Sequence, residues 1–263
     1  MSFVQTSLYY IPTYVIGILM VLISIGFSVI GLILVRMIMP VHKTKLHNDI
    51  AGPIFATIGV IYAVLVAFMV VISWQNFDGT MTRLETEANI YADLYRDSTG
   101  ISKEFHAQVG KTLGEYVKSV VRDEWPLMAK GMESKKSHDL IHNVWEVYIN
   151  FEPKGEREKI FFAESVSKLN EANELRRRRI VDSRTGIHPV LWFVLIACGI
   201  ITISFTFFFG TENFTAQLIM TGLLASLIAL VLFTIMVFDY PFTGDISVSS
   251  DVFKLILSSL KVF

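Results

Sequence analysis

The side chains best suited to chemistry are few and scattered. His138 and His142 stand four apart, and on a helix that spacing puts both imidazoles on one face, where they would suit two metal ligands. No third ligand accompanies them, so solvated surface histidines are the simpler reading. Asp49 and Asp239 fall at opposite ends of apolar stretches and do not form the paired carboxylates of an intramembrane aspartyl protease. An HExxH zinc motif and a Gly-rich phosphate loop are both missing. No enzyme, cofactor or metal is expected. Arg176, Arg177, Arg178 and Arg179 form the densest positive run. Successive helical positions turn by about 100°, so the four cannot converge on one ligand. Two readings fit them: attraction of anions into a cytoplasmic vestibule, or attraction of lipid phosphates at a membrane boundary.

The elements that must position these residues are dominated by four apolar stretches, residues 13–35, 50–75, 189–209 and 215–238. None contains Asp, Glu, Lys or Arg. At about 1.5 Å rise per residue each matches a hydrocarbon core about 30 Å thick, so each reads as a transmembrane helix. Intramembrane enzymes and proton-coupled transporters carry ionisable groups within their spans, and these spans have none. The chain is 52% hydrophobic with a net charge of −1, and its charged residues concentrate between Asp78 and Arg184. Nothing in that balance calls for nucleic acid. The single cysteine, Cys198, excludes an intramolecular disulfide. The first apolar run lacks a basic leader and exceeds a signal-peptide core, so it reads as a retained helix.

Four spans put both termini and the middle segment on one face. Near the membrane that face carries Arg83, the arginines 176–179, Arg184 and Lys254, against Arg36, Lys43 and Lys45 on the other. Positive charge therefore predicts a cytoplasmic middle segment in a cell inner membrane. The expected organisation is transmembrane helices over 1–75, a cytoplasmic helical domain over 76–188, two more transmembrane helices over 189–238, and a cytoplasmic segment over 239–263.

Within the middle segment, Thr82-Arg83-Leu84-Glu85 reads as a capping box that opens a helix running to about Arg96. Apolar residues from Ile101 to Val121 recur at helical spacing until Trp125-Pro126, a third stripe runs from Leu140 to Phe151, and a fourth from Ile160 to Leu175. The expectation is an all-α domain with one apolar face per helix turned inward. A last amphipathic stripe, Val252, Phe253, Ile256, Leu257 and Leu260, fits either a membrane interface or the cytoplasmic domain.

Several phrases resemble the bestrophin-like domain family of bacterial membrane proteins. They are residues 54–68 up to Trp74, Glu85-Thr86-Glu87-Ala88, Leu94-Tyr95-Arg96, Glu124-Trp125-Pro126 with Met128 and Gly131, Arg178-Arg179-Ile180, residues 184–192, and Asp239-Tyr240-Pro241-Phe242 with Gly244. More distantly, Gly59-Val60-Ile61-Tyr62, Trp74-Gln75-Asn76 and Pro241-Phe242-Thr243-Gly244-Asp245 are similar to phrases of bestrophin anion channels. The resemblance implies a pentameric channel lined by the second helix, with a helical cytoplasmic domain. The calcium-binding animal bestrophins carry a dense acidic run after the last phrase, whereas only Asp245 and Asp251 follow here. A tight calcium site takes about 6–8 oxygen ligands, so calcium gating is not expected.

In the second span Gly59, Ala63 and Ala67 recur every four residues, a stripe on which a neighbouring backbone can approach closely. The opposite face carries Ile54, Ile58, Ile61, Leu65 and Phe68. In a ring of such helices these would form a dry constriction that gates by dewetting; alternatively the stripe meets lipid. Two functions are therefore carried forward. One is a passive, anion-preferring homo-oligomeric channel passing inorganic anions such as chloride among membrane lipids. The other is a non-conducting scaffold or sensor whose helical cytoplasmic domain binds a partner.

Overall fold

The computed structural model describes residues 3–39 and 48–260. Among them there is no strand. The expected bases Lys43 and Lys45 lie outside the described residues. Two compact units emerge: a charge-rich one comprising residues 1–9, 77–185 and 240–263, and an apolar one comprising residues 10–76 and 186–239. Residues 3–9 group with the charge-rich unit through helix α1 (Phe3–Tyr10), whose buried Gln5 amide donates to the Ser183 carbonyl at 3.0 Å.

The apolar unit is built on α2 (Thr13–Ile38), α3 (Asn48–Ser98), α8 (Pro189–Phe205, extended by a 3-10 turn to Phe208) and α9 (Phe214–Asp239). Among the described residues, these four helices are long and apolar enough to cross a bilayer. Leu32, Tyr62, Val66, Met69, Leu195, Phe207, Ala225 and Ile235 form their shared core. Close approach is made possible at Gly31, where a Cβ would stand 2.4 Å from the Phe207 ring. The ends are tied by polar side chains: Arg36 donates to the Thr211 carbonyl at 2.6 Å and to Gln217 at 2.7 Å, and Asn48 exchanges two hydrogen bonds with the Gly210 backbone.

Helix α3 is 51 residues long and does not restart at the expected capping box. Thr82 instead donates to the Asp78 carbonyl one turn back, as a hydroxyl inside a helix does. The reason is one uninterrupted buried register. Positions 62, 66, 69, 73, 77, 80, 84, 87, 91, 94 and 98 are all buried, in steps of three and four. That is the period of a straight helix, so no break is needed where the solvent changes.

The charge-rich unit contains the C-terminal part of α3 with α4 (Lys103–Ser119), a π turn (Val120–Glu124), α5 (Trp125–Met128), α6 (Lys135–Ile149), α7 (Glu156–Asp182) and α10 (Asp251–Ser259). Ser102 caps α4 by accepting from Phe105 N, and Ser134 caps α6 by accepting from Ser137 N. The stripe Phe105, Val109, Leu113, Tyr116, Val117 and Val120 is fully buried. The final amphipathic stripe packs within this unit: Phe253, Ile256 and Leu260 are buried, with the Phe253 ring 5.5 Å from Trp125.

Gly131, just after α5, has φ +67°, and a Cβ there would also meet the Gln5 amide at 3.1 Å. Gly131→Ala is expected to cost about 1–2 kcal/mol from the left-handed backbone, and thermal melting of the detergent-solubilised protein should fall by a few degrees. An unchanged midpoint would mean that the turn relaxes freely.

Candidate functional site

Two arrangements merit attention, one in each unit. In the apolar unit, α3 turns Tyr62, Val66, Met69 and Ser73 into its own bundle. The two stripes singled out in the sequence lie about a quarter-turn to either side of this buried line, by the 100° step. On one side, Gly59 has nothing within 4 Å of its Cβ position, and Ala63 and Ala67 are exposed. Among the described residues, the small face therefore packs on no other helix. On the other side, Ile58 and Leu65 are half-buried, Leu65 against the bundle core, while Ile54 and Ile61 remain exposed.

Directly opposite the buried line, within about 30° by helical geometry, lie Thr57, Val60, Val64 and Val71. All four are exposed, Val60 at 64% and Val64 at 51%. Sequence reasoning missed this face because it divided the helix into small and bulky halves. The signal available was the phase of the buried register, which only packing reveals.

In the charge-rich unit, the arginine run divides. Arg179 is 2% exposed; its guanidinium donates to Glu87 at 2.8 Å and to Glu124 at 2.9 Å. Arg176 is buried beside it, donating to Glu124 at 2.8 Å and to Glu133 at 3.2 Å. Arg178 pairs on the surface with Glu174 one turn back at 2.7 Å. Arg177 is exposed, with no ion pair among the described residues. Of the four arginines offered for attraction of anions or lipid, Arg176 and Arg179 have their charges met inside the protein, and Arg177 and Arg178 stay on the surface.

Burial by itself would lower the pKa of Arg179, but the carboxylates of Glu87 and Glu124 outweigh it and hold the guanidinium well above its ordinary value. Around it, Tyr91 donates to or accepts from Tyr116 at 3.1 Å, and burial pushes the Tyr116 hydroxyl up. The Phe253 ring lies 5.4 Å from the guanidinium and Trp125 5.8 Å. The π turn delivers Glu124: Trp125 N donates to the Val120 carbonyl five residues back, and Glu124 is fully buried at that widened turn. Glu87 and Glu124 were not foreseen as functional residues. Their signal is a charge in phase with an apolar stripe, as in Leu84-Glu87-Tyr91 and Val117-Val120-Glu124.

His138 and His142 touch at 3.3 Å between their Nε2 atoms on an exposed face, and among the described residues no three potential metal ligands come together. Asp239 accepts from Ile187 N and from the Trp192 indole at 3.1 Å, ending α9 with a structural tie.

No curated protein matches the chain. Its structure is similar to a bacterial bestrophin homologue from Klebsiella pneumoniae phased by zinc anomalous scattering, at 13% identity over 92% of this chain and 96% of that one, with a TM-score of 0.67. A variant of the same homologue gives 12% identity, coverage of 93% and 97%, and a TM-score of 0.69. At this identity the likeness shows a shared fold. The Bestrophin-like domain itself matches residues 22–253. With four bilayer-length helices, this fold and a domain match over most of its length, the protein is a membrane protein of the Bestrophin-like domain family.

Proposed function

We propose that the chain is a passive ion channel, a homo-oligomer in which α3 from every subunit surrounds a central axis. The observation that carries this reading is the uncovered face of α3. Its own bundle takes the line Tyr62 to Ser73 and leaves the opposite apolar face bare through the whole span. Lipid would satisfy that face in a monomer. In a ring, Thr57, Val60, Val64 and Val71 converge on the axis, with Ile54 and Ile61 at its border, and an apolar constriction of that kind gates by dewetting. The free Gly59, Ala63 and Ala67 stripe then meets the neighbouring subunit, where small residues let helices approach closely. Subunit number, five, and a preference for anions such as chloride come from the resemblance to bestrophin anion channels. A cytoplasmic charge-rich unit in an inner membrane follows from the positive-charge asymmetry.

Reconstitution of the purified protein in planar bilayers under asymmetric salt tests the proposal. Discrete currents from a preparation of oligomeric mass in detergent are expected. Silence at high protein density, or a monomeric mass, would overturn it and favour the scaffold, whose helical unit would then serve a partner.

A further inference from the structure

We infer that the apolar unit holds a mid-bilayer site for an uncharged, membrane-dissolved molecule with a carbonyl-type acceptor on an apolar body, bound in a cavity between α2, α8 and α9 and engaged by the buried Tyr62 hydroxyl. The site belongs to a single chain and does not rest on the channel reading. The cavity measures about 320 Å³, within the range of small-molecule pockets. Its lining is apolar, and Ile23, Ile196 and Ile200 within that lining are exposed, so a molecule dissolved in the surrounding hydrocarbon can enter. Ser24 brings a hydroxyl to the wall, but that hydroxyl already donates to the Ala225 carbonyl at 2.9 Å.

Tyr62 supplies the polar handle. Its side chain is 7% exposed, and its hydroxyl has no hydrogen-bond partner among the described residues. Ser28, Ser73, Thr202 and Ser226 in the same unit each donate to a carbonyl three or four residues back, at 2.8 Å. The Tyr62 ring carries its hydroxyl beyond reach of its own backbone, so its acceptor must come from elsewhere. An unpaired hydroxyl is costly in hydrocarbon, and phenylalanine would fill the same core position without that cost. Gly199 joins the hydroxyl to the cavity. It lines the cavity, and the Tyr62 oxygen stands 3.0 Å from the position of a Cβ there, with Ile228, another lining residue, at 3.3 Å.

Depth selects the ligand. Tyr62 and Gly199 lie midway along the apolar stretches 50–75 and 189–209, about 15 Å from either face of a hydrocarbon core about 30 Å thick. Phospholipid ester and phosphate oxygens stay at the interface, and water is excluded from the core, so neither supplies the acceptor. An acyl chain fills the cavity but accepts nothing. A neutral carbonyl compound dissolved in the core does both.

The test uses the full-length protein in lipid nanodiscs, with a photoreactive long-chain ketone as probe. Saturable labelling is expected on lining residues such as Phe27 or Ile196. Methyl nonyl ketone should displace the probe at about one-fifth of the lipid mole fraction that undecane needs, the worth of one neutral hydrogen bond. Tyr62→Phe removes only the oxygen and should bring the two competitors to equal effect, while undecane competes as before. Ile200→Phe, at an exposed lining position, should fill the cavity and remove the saturable labelling. Equal competition by ketone and alkane in the parent, a ketone preference that survives in Tyr62→Phe, or labelling spread evenly over the lipid-facing surface would overturn the inference.

Discussion

Replacing Arg179 with alanine is expected to destabilise the charge-rich unit by about 3–5 kcal/mol, the cost of leaving buried carboxylates without their counter-charge. Glu87 and Glu124 are both fully buried and both address this guanidinium. With Arg179 gone, Glu124 would retain Arg176, but Glu87 would keep only its 3.1 Å hydrogen bond from Tyr91. Thermal melting in detergent should show a midpoint lowered well beyond ordinary variants, or no cooperative folding at all. Arg177→Ala, two positions earlier and exposed, should stay within about 0.5 kcal/mol of the parent. Equal effects of the two substitutions would refute the division of the arginine run into interior and surface members.

The second large effect concerns conduction. If α3 lines the axis as proposed, Val64→Ser in every subunit is expected to raise channel current about tenfold, because a ring of hydroxyls would rewet a constriction that the valine methyls would keep dry. Hydrating a polar group in place of an apolar one is worth on the order of 1 kcal/mol or more per side chain. Summed around a ring, realising even a fraction of this at the barrier exceeds the 1.4 kcal/mol that a factor of ten requires. Val64 is half exposed in the single chain, so folding should be little affected. Leu65→Ser is the control. Leu65 packs against the bundle core, so its loss should lower stability without a comparable gain in current. A gain from Ile61→Ser with none from Val64→Ser would rotate the axis to the border of the face, toward the bulky stripe.

These two predictions differ in how far the sequence foretells them. The four spans are legible because hydrocarbon thickness demands a charge-free run of fixed length, and each such run became a bilayer-length helix. The apolar stripes of α4 and α6 are legible for the same kind of reason, since an amphipathic helix has one face it must bury. In α7, by contrast, only Leu169 and Ala172 of the expected stripe are buried, Ile160 and Ala163 are exposed, and Ser165, Arg176 and Arg179 share the buried face. The capping box at Thr82 failed because a cap acts only where backbone N–H groups lack partners. Inside the continuous α3 they are already bonded. Helix α1 went unforeseen because eight residues carry too little periodicity to stand out. The terminal stripe of α10 had two consistent destinations, and only the aromatic neighbours Tyr91 and Trp125 around Phe253 chose between them.

Segment composition is enough to establish a membrane protein with four bilayer-length apolar stretches and a helical, charge-rich remainder, because solvent transfer acts on each segment independently of the others. The tertiary structure decided which residues of α3 stay uncovered and which arginines face inward. Both depend on the phase of one helix against its neighbours. Four consecutive arginines are chemically identical in the sequence, and a rotation of about 100° per residue is what buries one charge among carboxylates and leaves the next in water.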